Sequence, residues 1–489
     1  MAMVTRRCQR ASLDALLCSA AIARAGFRRQ QARSIVCSTL LSKLPKRVLD
    51  TEYSHRAVPI LQAQEKVALH PTGQRVDRFD EQVLSILLEP ELLKDEGAFS
   101  KAVIDRAARY LQAVETGNLE KEGYAPKVLR EDVASFFTKR DGVAADPEHI
   151  VLVDGGEKAV ETILRGCLAD HTDGILLPLP HYPLWSITAQ RVGRARAAGY
   201  FLDEADHWGM DLKEMEKAVQ DISKGGGKAK AMVVVNPGNP AGQILPRADM
   251  EAILKFAERE KIILIADEAQ QGCLHQLEDS PWRPFRQVAA EMNSPVEVCS
   301  LHVAGPGAWG IEGAAVHCHN PSAATVQRMQ EVATTLADKG NHAGLGQALM
   351  ASALSMPPEG TAAAAERLAE RKRLAEAFRR KARKAQVRLD MDAGITCSLP
   401  LAGPFIYPKV IVKGHVMKKA ISYGAPADQI YCMELAEREG VATMPGCGFG
   451  QRPGQFHFRL SLTQAEANVE RTLSALERFH KEHPGGWFE

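Results

Sequence analysis

The chain has 489 residues, 45% of them hydrophobic, with 61 Lys and Arg against 60 Asp and Glu. That length is too great for one small core and suits a large α/β body with a second, smaller domain. The balanced charge excludes a global field favouring nucleic acid or an anionic membrane, so no specific nucleic-acid partner is expected, although a local basic patch stays open.

The ten cysteines form no CxxC pair and no His/Cys cluster at zinc spacing, which argues against a structural metal or a secreted disulfide framework. From Met1 to Arg47 the only acid is Asp14, set among ten Arg and Lys residues with frequent Ser and Ala. This Arg-rich, acid-poor start fits an organellar presequence over residues 1–47. The apolar stretch Ala15–Ala23 is followed by further basic residues rather than a clean small-residue cleavage site. A mitochondrial, matrix location is therefore expected ahead of plastid or secretion. No later apolar run approaches the length of a transmembrane segment.

Beyond Leu49 short apolar runs alternate with helical patterns. Ile150–Val153, Gly174–Leu177, Ala231–Val235, Ile262–Ala266 and Val296–Leu301 read as buried strands. Glu157–Leu168 and Asp249–Glu260 read as helices between them, and Ser223–Lys228 as a flexible loop. Continuous β-branched runs separated by helices predict a mainly parallel sheet covered on both faces. The Ala-, Glu-, Arg- and Lys-rich stretch Thr361–Ala385 predicts one long connecting helix. A second α/β unit follows, ending in a helix around Glu466–His480. No internal repeat is present. These patterns divide the chain into the leader 1–47, an N-terminal flank 48–129, a large domain 130–385 and a small C-terminal domain 386–489.

The densest local signal is Asn236-Pro-Gly-Asn-Pro-Ala-Gly-Gln243, a tight turn at the carboxyl end of a strand, where α/β folds place ligands. Leu264-Ile-Ala-Asp-Glu268 follows it, and Pro180-His-Tyr-Pro-Leu-Trp185 precedes it. Downstream lie Gly446-Cys-Gly-Phe-Gly-Gln-Arg452 and Phe456-His-Phe-Arg459; Arg130-Glu-Asp-Val133, Arg140-Asp-Gly142 and Ala145-Asp-Pro147 complete the series. Together, from about Glu81 to the C-terminus, this series resembles the alanine-aminotransferase subgroup of the class I/II aminotransferases that depend on pyridoxal phosphate (PLP). The resemblance implies fold type I, a mainly parallel central sheet with a smaller α/β domain. It further implies that Asp267 takes the place of the carboxylate that keeps the pyridinium protonated, Asn239 that of the donor to the ring hydroxyl, and Tyr182 that of the stacking ring. Arg459 resembles the guanidinium that grips the substrate α-carboxylate. Singly these read as a strand-end acid, a turn asparagine, a core tyrosine and a surface arginine; jointly, in family order, they read as a site.

The pattern then fails. The Ser300, His302, Gly307, Gly310 and Gly313 anchors align without a gap, and that register puts Pro306 at the Schiff-base lysine and Ala315 at the phosphate-binding arginine. No lysine occurs between Lys261 and Lys339. The family lysine holds the cofactor and shuttles the substrate proton, and proline can do neither. The expected Gly-Ala-Ser phosphate cup is Gly155-Gly156-Glu157. A carboxylate there would repel a phosphate by roughly 4 kcal/mol per charge pair at close range and an effective dielectric of about 20. The Glu157 carboxylate is expected to turn back onto the N–H groups of its own helix start. Gln270 stands where a tyrosine is expected, and Gly123-Tyr-Ala-Pro-Lys127 replaces a longer Tyr-Ser-x-Ser-x-Gly element.

These losses imply a catalytically degenerate protein with no catalytic residue of its own and no expected cofactor, the ancestral one being PLP. Its expected role is structural, in a homodimer or among the protein subunits of a larger mitochondrial complex. Two alternatives stand beside it: a non-covalent binder of PLP or of an amino or keto acid, and a residual transaminase using a lysine from elsewhere, such as Lys158.

Overall fold

Alternate residues of the strand Ile150–Val153 (β1) feed two separate cores, as a period of two requires. Val151 and Val153 pack in one cluster, Ile150 and Leu152 in the other. A computed structural model describes residues 76–94, 97–115, 125–193, 196–278, 281–305, 310–337, 344–391, 394–412 and 414–481. The leader 1–47 lies outside these residues, as do Gly123, Tyr124 and Pro306.

The sheet has seven strands: β1, then Asp173–Leu179 (β2), Arg196–Phe201 (β3), Lys228–Val235 (β4), Ile263–Asp267 (β5), Val298–Ala304 (β6) and Gly313–His319 (β7), in the order β1-β7-β6-β5-β4-β2-β3. Pairs β2–β3, β2–β4, β4–β5 and β5–β6 are parallel. Strand β7 runs antiparallel to both β1 and β6. The carboxyl ends of β1, β2, β4, β5 and β6 therefore share one edge, the place where an open α/β sheet presents a ligand site.

The helices of this unit are Arg78–Leu88 (α1), Lys101–Glu115 (α2), Lys127–Asp141 (α3), Gly156–Cys167 (α4), Leu184–Val192 (α5), Leu212–Lys224 (α6), Arg247–Glu260 (α7), Phe285–Glu291 (α8), Ala323–Leu336 (α9) and Leu345–Leu354 (α10). One core packs the buried stripes of α4, α5 and α9 against the sheet, and the other packs α1, α2, α3 and α10. Helix α1 begins with a capping box in which Asp77 and Asp80 satisfy each other's backbone N–H groups. Those carboxylates also hold the buried Arg367 of the 29-residue helix Ala362–Asp390 (α11), which carries the chain from one compact unit into the other.

The described residues fall into two such units, one within 71–384 and 398–406, the other within 385–397 and 407–489. In the second, Ile395–Thr396 pairs with Lys409–Val410 and Met444–Pro445 pairs with Phe458–Ser461, both antiparallel. The helices Gly414–Tyr423, Ala427–Glu439 and Glu466–Lys481 complete it. Among the described residues no helix is long and apolar enough to cross a membrane.

Candidate functional site

The sheet edge gathers most of the residues singled out in the sequence. Asp267 ends β5, and Asn239 sits in the turn that follows β4. That turn closes on itself, with Gly238 N donating to the Gln243 carbonyl at 2.9 Å and Gly242 N to the Gly238 carbonyl at 3.1 Å. Asn236 ties it to both neighbours: its N–H donates to the Asp267 carbonyl at 3.0 Å, and its side-chain oxygen accepts from Leu245 N at 3.1 Å. The bonds Asn236–Pro237 and Asn239–Pro240 are cis, as is Leu179–Pro180 at the end of β2. Asn239 is buried and Tyr182, just ahead of α5, is half-buried.

The Asp267 carboxyl has partners within the fold. Trp185 Nε1 donates to its Oδ2 at 2.8 Å, and Ala269 N donates to its Oδ1 at 3.2 Å. Burial pushes its pKa up, and those two donors offset part of that shift. Trp185 lies in the first turn of α5, buried against the sheet core, so the indole that covers Asp267 is fixed by packing. Trp185 belongs to a motif the sequence displays; its bond to Asp267 does not follow from the motif.

Behind this carboxyl lies a buried network. Glu268 accepts from Phe285 N at 2.9 Å and from Arg140 Nη1 at 3.2 Å. Arg140 also donates to Gln271 Oε1 at 2.7 Å, so the Gln271 amide nitrogen faces His302 Nδ1 at 2.5 Å. Nδ1 must then accept, leaving the His302 proton on Nε2, which lies 3.6 Å from Glu268. Burial, aided by Arg140, holds the His302 pKa well down, while burial pushes Glu268 up to about 7 against the pull of Arg140. Gln270 is buried beside them, and among the described residues its Oε1 has no hydrogen-bond donor.

At the start of α4, Gly155 takes φ +98°, a conformation open to glycine. The expectation that Glu157 folds back on its own helix start is corrected here. Its Oε1 pairs with Arg191 Nη1 of α5, and Arg191 Nη2 reaches Glu161 at 2.7 Å. A full guanidinium charge with directed donors outcompetes the half-charge of a helix end. A second carboxylate stands close by: Glu312 Oε2 would lie 3.4 Å from a Cβ placed on Gly155. A third, Asp154, accepts from Gly346 N at 2.9 Å. Ala315 lies fully buried in β7, in register with Leu152 and His302, and packs in the α3/α10 core. Glu312 lies within the segment read from sequence, yet only the fold brings it to Gly155.

In the other unit, Arg459 is buried with its guanidinium carbon 4.9 Å from the Phe449 ring centre and Nη2 2.8 Å from Met444 Sδ. Among the described residues no three His, Cys, Asp or Glu side chains are grouped so as to hold a metal.

Residues 91–476 match the family model for aminotransferase class I and II. The chain belongs to that family. Glutamate–glyoxylate aminotransferase 1 of Arabidopsis thaliana is 31% identical over 424 residues, covering 84% of this chain and 87% of that protein. Alanine aminotransferase 1 of Homo sapiens is 31% identical over 421 residues, covering 83% and 84%. Among solved structures, an alanine aminotransferase from Pyrococcus furiosus superimposes with a TM-score of 0.63 at 19% identity, over 90% of this chain and 99% of that one. The expected type I aminotransferase fold is thus the observed one, and the chain is alanine-aminotransferase-like within a PLP-dependent family.

Proposed function

We propose that this family member performs no aldimine chemistry of its own and serves as an accessory subunit of a mitochondrial protein assembly. One observation carries the reading: the 77 residues from Ile262 to Asp338 contain no lysine, and Pro306 falls in the register of the family's Schiff-base residue. Without that amine there is neither an attachment point nor a proton shuttle.

The surrounding geometry supports it, because the residues present fit PLP poorly. The carboxyl in the pyridinium position is already donated to by Trp185. The helix start that would receive the phosphate is flanked by Asp154, Glu157 and Glu312, and its nearby guanidinium, Arg191, is committed to Glu157 and Glu161. Ala315 brings no charge.

A second reading is non-covalent binding of PLP or of an amino or keto acid, or residual transamination. The family relation favours it, together with Asn239 and Asp267 buried at adjacent strand ends of the sheet edge. One preparation decides between them. Purified protein is mixed with PLP and dialysed; one portion is read for the retained cofactor band and assayed for alanine–oxoglutarate turnover, and a second portion is treated with borohydride and checked for a reduced, covalently fixed adduct. The proposal expects no retained band and no turnover. Cofactor absorbance retained through dialysis, a borohydride-fixed adduct or measurable turnover overturns it in favour of the second reading.

A further inference from the structure

We infer that a groove between the carboxyl half of α11 and the segment around Leu399–Leu401 is a docking site for an acidic, leucine- or phenylalanine-bearing peptide segment of a partner protein. This deepens the accessory-subunit reading and rests on it.

The groove encloses about 270 Å³ and is lined by the apolar Ile244, Leu399 and Leu401 of the loops and by Arg379 and Arg383 of α11. Leu399 and Leu401 are 44% and 43% exposed. A flexible loop would turn such side chains inward, but this one is pinned. Leu401 N and Ala402 N both donate to the Gly242 carbonyl, at 2.8 and 3.1 Å, and Gly403 N donates to the Cys273 carbonyl at 2.8 Å. His275 completes the fastening: its backbone N–H donates to the Leu401 carbonyl, and its two ring nitrogens lie 3.0 and 2.7 Å from the carbonyls of Pro400 and Gly403. The wall is held before any partner arrives, which lowers the ordering cost of binding.

The other wall defines the chemistry. Residues 379–384 read Arg-Arg-Lys-Ala-Arg-Lys, five cations with no acid. Arg379 and Arg383, one helical turn apart, are exposed, and no ion pair or hydrogen bond joins either guanidinium to another described residue. By contrast Lys372, two turns earlier, is paired with Glu278 at 2.6 Å. Two uncommitted planar forks beside an apolar floor match a segment that buries an aliphatic or aromatic side chain and sets carboxylates on the helix side. Nucleic acid is a poorer match, because among the described residues the one aromatic side chain lining the groove, His275, is buried with its nitrogens held by the loop and offers no stacking face. A membrane surface is poorer still, since the apolar residues line a concavity.

The test uses the full chain and a fluorescein-labelled peptide, Glu-Asp-Leu-Leu-Glu-Phe-Asp-Glu, followed by anisotropy. Saturable binding is expected, weakened about tenfold or more by Arg379→Glu with Arg383→Glu, as for truncated central contacts in an interface. A peptide with Lys in place of each acid should bind the doubly reversed protein and not the parent, which also shows that the variant is folded. A peptide with Ser in place of Leu and Phe should fail on both. The inference is overturned by no saturable binding, by equal binding of the Ser peptide, or by an oligouridylate or phosphatidylserine vesicle binding where the peptide does not. An aldimine band or turnover would instead overturn the accessory reading, so the two failures are distinguishable.

Discussion

The indole N–H of Trp185 and the carboxyl of Asp267, one from the first turn of α5 and the other from the end of β5, meet at 2.8 Å inside the protein. The donor is neutral, and burial disfavours the charged form of the carboxyl. Trp185→Phe should therefore leave a buried acceptor short of a donor and cost about 1–3 kcal/mol. Asp267→Asn keeps an oxygen for the indole and removes a buried titratable group, so it should cost much less. Urea denaturation of both variants checks this. Equal losses would show that the pair contributes nothing as a hydrogen bond.

The pH dependence of stability should carry two opposed slopes. Burial pushes His181 from 6.5 down to about 4 in the folded protein. Its folded value is depressed, so the unfolded chain binds the proton first, and stability falls as pH drops from 6.5 towards 4. At about 1.4 kcal/mol per pH unit the loss is roughly 3 kcal/mol. Glu268 behaves oppositely: burial raises it from 4.5 to about 7, so its contribution is complete below 4.5 and is lost as pH rises through 7. His181→Asn should remove the acid-side loss, and Glu268→Gln the loss on approaching neutrality. Urea midpoints of the three proteins across this window give the answer. Parallel curves would mean that neither group titrates differently in the fold.

Gly313 opens β7 where it crosses the start of α10. A Cβ there would stand 1.9 Å from the Gly346 carbonyl oxygen, a backbone atom that cannot rotate away. Gly313→Ala should cost about 3 kcal/mol through forced separation of strand and helix. Gly193→Ala makes the comparison, since its site is open and the strain comes only from φ +65°. Thermal denaturation should place Gly313→Ala well below Gly193→Ala, and the reverse order would refute the close approach.

The strands that could be read in advance are those whose burial is continuous. Ile150–Val153 is four apolar residues with every one buried, and its observed bounds are the expected ones. Strand β3 begins with Arg196 and exposes three of its six residues at the end of the sheet, so its sequence RAAGYF carries no strand signature. Strand β7, GAAVHCH, holds one β-branched residue and owes its extended form to pairing on both sides. The same division holds in the site. Asp267, Asn239, Gly155 and Glu157 are legible because a motif fixes their place along the chain. What each side chain touches is set by other elements: Arg191 draws Glu157 away from its helix, and Trp185 covers Asp267 from 82 residues upstream.

The substitution Pro306→Lys should not restore transamination. It adds an amine to that segment of the chain but leaves the residues of the sheet edge with their present partners. Glu157 and Arg191 remain paired, Glu312 stays beside Gly155, and Ala315 remains an uncharged residue packed in the core under α3 and α10. Asp267 keeps its indole donor, and residue 270 remains a glutamine. Residues that act as a unit are strongly non-additive, so an amine added alone should supply little rate. Arg459→Met is the companion variant. It removes the guanidinium beside Phe449 while filling the buried space with a side chain of similar reach, so that any effect reports on recognition of a carboxylate. Alanine–oxoglutarate turnover of the Pro306→Lys protein should equal that of the parent, and Arg459→Met should leave it unchanged. Turnover gained in the first and lost again when the second is added would show that the ancestral site was one amine short of working.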